Sequence, residues 1–152
     1  MRRHLVGFEL DWLAVDAAGH IGLFSSGGYG PVPVAVVNHL GDVEEALKRL
    51  AVMPVTGECV EEPTGARFEF WIEPARRGFF GFDWGPGWEG PFTRLTVPSR
   101  PLKVADLVDR DFQTASALVQ LSIEFNMATH VEASAIGDLD DGETNHDLRG
   151  SL

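Results

Sequence analysis

The sequence predicts an α+β domain: mainly an antiparallel sheet of about five strands, with one to three helices. Three observations lead there. Short apolar segments at 8–16 and 21–27, and again at 78–84 and 91–97, are joined through Gly- or Pro-containing turns, the pattern of β-hairpins. Residues 118–126 alternate apolar and polar side chains, the period of a half-buried strand. One segment, Asp42 to about Ala51, has helical spacing with acids first and bases last.

The elements follow in order. Phe8, Leu10, Trp12 and Ala14 alternate with Glu9 and Asp11, giving a first strand, and Gly19 marks the turn to its return strand. The stretch GGYGPVP at 27–33 is too rich in Gly and Pro to continue a sheet and reads as a loop. AVVNHL fits a short helix or strand equally. In the helix from Asp42, Asp42 and Glu45 have the spacing of a capping box, and Val43, Ala46, Leu47 and Leu50 form the apolar stripe. Pro54 closes that segment. ARFEFWIE at 66–73 alternates as a strand that Pro74 ends, and PSRPL leads to a short helix at 103–109. The expected organisation is one domain over 1–136 followed by an acidic, mobile tail over 137–152.

At 152 residues a single domain buries roughly 70% of the surface of its unfolded chain. Ten Phe and four Trp supply a core. Twelve basic residues against 23 acidic ones give a net charge of −11. That field repels phosphate, so nucleic acid and anionic membrane are poor partners, while a basic protein is attracted. No stretch reaches the ~20 apolar residues of a membrane span, and MRRHLVGFEL lacks a signal-peptide apolar run. The expected location is cytoplasmic. Cys59 is the lone cysteine, which excludes an internal disulfide.

Motifs for catalysis and metal binding are not found, and no cofactor is expected. The five histidines, His4, His20, His39, His130 and His146, form no HExxH or close pair. His20 reads as a turn histidine beside Asp16. Counting an EF-hand from Asp138 puts the glycine at position five and Arg149 at position twelve, so the calcium pattern fails. Ser25 and Ser26 lie outside any GxSxG elbow. Glu58, Glu61 and Glu62 surround Cys59, and their field disfavours a thiolate. GGYG lacks the endings of phosphate-binding loops. One cluster keeps ligand chemistry open: Trp84 and Trp88 in a Gly/Pro loop, with Asp83 and Glu89 at its shoulders. Such tryptophans can pack on the sheet, contact a protein, or stack on a sugar beside paired carboxylates.

The stretches DWLAVDAAGHIGLFSSGGYGPVP (11–33) and GFDWGPGWEGPFTRLTVPSRPL (81–102) resemble small acidic bacterial proteins. In style the chain is similar to immunity proteins of bacterial toxin systems. That resemblance implies a protein-binding module that occupies a cognate toxin's active site or blocks its closure. Acids would then steer a basic partner and aromatics would supply affinity. The candidate partner-binding residues are Glu58, Glu61, Glu62, Trp84, Trp88 and Glu89. The alternative is a small-molecule or carbohydrate-binding protein, or a hydrolase using carboxylates near the Trp84/Trp88 loop.

Overall fold

Alternating residues of the first hairpin face two different layers, and the rest of the fold follows from this. A computed structural model describes residues 9–61, 69–85 and 89–140. Strand β1 (Asp11–Val15) pairs antiparallel with β2 (Ile21–Ser25), as the hairpin pattern predicts. Every residue of β2 is buried, because both faces of the sheet are covered.

After β2 come β3 (Val32–Pro33), a single helical turn α1 (Val34–Val37) and helix α2 (Leu40–Ala51). Strand β4 (Cys59–Glu61), helix α3 (Glu69–Arg76) and the hairpin β5 (Phe80–Trp84) to β6 (Phe92–Pro98) follow. Helix α4 (Arg110–Ser116), β7 (His130–Val131) and β8 (Leu139–Asp140) complete the described chain. The main sheet has the order β1-β2-β5-β6-β4, with β7 on β6, and β3 pairs β8 separately.

The fold is therefore α+β with a mixed sheet. Both hairpins are antiparallel as expected, but β2 and β5 run parallel where they meet. The segments between them return the chain to the same end of the sheet before β5 begins. Four α-helical segments are present among the described residues, one more than the upper expectation, and α1 is a single turn.

The register stacks Trp12, Phe24 and Phe82 across three strands, with ring centroids 4.5 and 4.7 Å apart and planes within 10°. Phe92 meets Trp12 and Phe24 edge-on. Val36, Val119, Leu121, Phe125, Val131 and Ile136 cover this face. On the other face Leu13, Ile21 and Leu23 pack with Ala46 and Leu50 of α2, Trp71 of α3, and Phe112 and Ala115 of α4.

Several local expectations change. Residues 69–76 are helical, not a strand: Trp71, Pro74 and Ala75 are buried together, which is helical spacing, while Phe70 is 45% exposed. Pro74 lies inside the helix, costing one backbone bond instead of ending the element. The helix stops at Gly78, whose φ of +103° allows its amide and that of Phe79 to bond back to Ala75 and Pro74. Residues 118–126 keep alternating burial at Val119 and Leu121 but make one isolated parallel bridge, Val15 to Gln120, and then turn. Helix α2 begins before the expected box: His39 is its N-cap, without a side-chain cap, and Asp42 pairs with His39 at 3.5 Å. The short helix expected at 103–109 is a 3-10 turn at Val104–Asp106, and α4 follows behind the Asp109 cap. Leu139 and Asp140, in the stretch expected as a tail, pair with Pro33 and Val32. The remainder of that stretch lies outside the described residues.

Candidate functional site

Strand register brings together carboxylates that are far apart in sequence. Asp11 on β1 is opposite Ser25 on β2, and Ser25 is opposite Asp83 on β5. Cross-strand partners point to the same face, so Asp11, Ser25 and Asp83 form one row at the end of the helix-covered face. Two strand spacings separate the outer backbones, about 10 Å.

Burial raises the pKa of Asp11, a hydrogen bond from Ser25 opposes this, and the charge of Glu9 adds to it. Asp83 is pushed up to about 6, first by burial and then by Glu9, with Asp11 adding a smaller push and a hydrogen bond from the Trp84 backbone opposing. Like charges in a partly desolvated row favour protons or an external cation over two free carboxylates. Oδ1 of Asp11 is closed off from solvent and has no hydrogen-bond partner.

Asp11 also lines a cleft of about 350 Å³ between α2 and α3. Its walls are Leu23, Leu47, Leu50, Ala51, Phe70 and Pro74, and Glu69, Glu73 and Arg77 complete the lining. The volume and the mainly apolar walls fall in the range of binding sites. Glu73 is held below the usual carboxylate range by hydrogen bonds from Arg77 and then Arg76, at 2.8 and 2.9 Å. Arg77 also donates to the Met53 carbonyl at 2.8 Å.

The candidate residues from the sequence divide along β6. Glu58 is exposed, and its backbone pairs with Ser99 through bonds of 2.8 and 2.9 Å. Glu61 ends β4 opposite Thr96. Trp84 is opposite Phe92, so the Glu58 end and the Trp84 end are about 23 Å apart along the strand. Glu89 is exposed at the Trp84 end. Glu62 and Trp88 lie outside the described residues. Trp84 is half-buried, with its ring 4.8 Å from Phe92. A Cβ on Gly30 would meet Trp84 at 2.7 Å, and one on Gly90 would meet it closer still, so two glycines admit the indole.

Sequence reasoning flagged Asp83 but placed Asp11 on a solvent face. The missed signal is that Asp11 shares parity with Leu13 and Val15, which are buried. Asp16 and His20 serve the first turn: Asp16 Oδ1 accepts from the amides of Ala18 and His20 at 3.0 and 2.8 Å. Among the described residues no group of three or more His, Cys, Asp or Glu is placed to hold a metal. No described helix is long and apolar enough to cross a membrane. No protein-family model matches the chain, and neither does any curated protein or solved structure.

Proposed function

We propose that the chain is a protein-binding module for a basic partner, in its sharpest form an immunity protein that neutralises a cognate bacterial toxin in the cytoplasm by direct binding. The observation that carries this reading is a net charge of −11 with exposed carboxylates such as Glu58 and Glu89 at both ends of β6. Such a field speeds encounter with a cationic surface and disfavours nucleic acid. The test is capture of a stoichiometric protein partner at physiological salt, followed by association kinetics with the purified pair. Association should slow as salt rises and should slow again in Glu58→Gln/Glu89→Gln. Absence of any stoichiometric partner, or a rate indifferent to salt, overturns the reading.

The Asp11–Ser25–Asp83 row favours a second reading, a small-molecule or carbohydrate site or a hydrolase using carboxylates near Trp84. Asp83, raised to about 6 mainly by burial, can hold and release a proton near neutral pH. Calorimetric titration with neutral oligosaccharides distinguishes it: heat that disappears in Asp83→Asn supports this reading, and no heat removes it.

A further inference from the structure

The cleft between α2 and α3 joins an apolar channel to a carboxylate. Leu47, Leu50, Phe70 and Pro74 wall it, and Asp11 borders it. Phe70 is 45% exposed there, so part of its ring is open to an incoming group. The charge of the lining is one-sided: Asp11, Glu69 and Glu73 against Arg77, whose guanidinium already serves Glu73 and the Met53 carbonyl.

We propose that this cleft receives a lysine or arginine side chain of the protein partner, its alkyl stem between Leu47, Leu50 and Phe70 and its cationic head at Asp11. The proposal rests on the partner-binding reading and gives it a site. Long basic side chains have this form, an apolar stem ending in hydrogen-bond donors. Asp11 Oδ1 has no hydrogen-bond partner, and the terminal torsion of an aspartate is soft, so a small rotation presents it to an incoming N–H. Glu9, whose charge acts on Asp11, adds to the attraction. An acidic or neutral apolar side chain would leave the carboxylate desolvated and unpaired, which disfavours it.

The site can be tested without the partner. The full ¹⁵N-labelled chain is titrated with hexylguanidinium, with hexanol and guanidinium as the separate halves of that probe. Saturable amide shifts at Leu47, Ala51, Phe70 and Asp11 are expected from hexylguanidinium and not from either half. Asp11→Asn should weaken binding about tenfold, and Ala51→Trp, which fills the cleft from the end of α2, should abolish it. Shifts spread over other acidic surfaces, or unchanged affinity in a folded Asp11→Asn, overturn the proposal. Capture with Ala51→Trp separates the two claims. A partner retained by that variant overturns the cleft assignment while the partner-binding reading stands. Hexylguanidinium bound in the cleft with no partner captured by the wild type overturns both, and leaves a site for a small cation.

Discussion

The amide of Phe125 donates to Oδ2 of Asp16 at 2.7 Å, joining residues 109 positions apart. The carbonyl of the same Phe125 accepts from Arg94 at 2.5 Å. The peptide groups around Phe125 are thus held from β1's turn and from β6, and its ring is set against Phe24, Phe80 and Phe82. Asp16 also accepts two amides of its own turn, so one buried carboxylate closes the first hairpin and anchors a distant segment. Asp16→Ala is expected to lower stability by about 3 kcal/mol, because charged, buried acceptors are lost and three amides are left without them. Asp16→Asn, which keeps one acceptor, should cost about 1 kcal/mol. Urea unfolding checks both, and an Asp16→Ala variant as stable as the parent would show that Phe125 is held by packing alone.

Asp83 predicts a pH dependence. Its carboxyl is raised from 3.8 to about 6, so the folded chain holds this proton more tightly than the unfolded chain does. The contribution to stability is fully present below pH 3.8 and is lost as pH rises through about 6. Asp83→Asn should therefore stabilise the protein at neutral pH by about 1 kcal/mol, once solvent screening of this half-exposed group is allowed for. The advantage should shrink on acidification across that window. Parallel stability–pH curves for the two proteins would refute the assignment.

Gly81 sets how closely α3 approaches the sheet. A Cβ there would meet the Trp71 ring at 2.8 Å and Thr96 Oγ1 closer still. Neither neighbour moves easily, since Trp71 is 6% exposed and Thr96 is fully buried. Gly81→Ala is expected to destabilise by about 2 kcal/mol through overpacking. Thermal unfolding reads this directly, and Gly81→Ala/Trp71→Leu should recover part of the loss.

Asp109 has two roles that substitution can separate. Its Oδ1 accepts from the Phe112 amide at 3.0 Å as the N-cap of α4, and its other oxygen pairs with Arg49 of α2. Arg49's side chain is 42% exposed, so the ion pair is worth little beside the cap. Asp109→Ala should cost about 1 kcal/mol, whereas Asp109→Ser should cost only a few tenths. Equal losses in the two variants would assign the effect to the ion pair instead.

The contrast between legible and hidden features follows from the range of the interactions involved. Both hairpins and the body of α2 were readable, because alternation, turn residues and an amphipathic stripe are set within about ten neighbouring residues. The alternation at 66–73 misleads because Phe70 and Ile72 fit a period of two, whereas the helical set Trp71, Pro74 and Ala75 is revealed only by its burial. The stretch at 118–126 has the alternation of a strand, yet beyond Leu121 the Ile123 carbonyl accepts from the Ala17 amide of the first turn and the Phe125 amide donates to Asp16, so no ladder continues. Asp109 caps α4 three residues before Phe112, but a helix of only seven residues has too short an apolar stripe to be legible in the sequence.

For the candidate site, the sequence by itself determined the acidic balance, the supply of aromatics and the carboxylate at Asp83. Only the tertiary structure decided that Asp83 shares a row with Ser25 and Asp11, since that depends on the parallel pairing of β2 with β5 across a long crossover. It also decided that Glu58 and Trp84 stand at opposite ends of β6, and that α2 and α3 leave a cleft beside Asp11. The physical reason is that charge and local periodicity are summed along the chain, whereas register and helix placement are set by where distant apolar faces find each other.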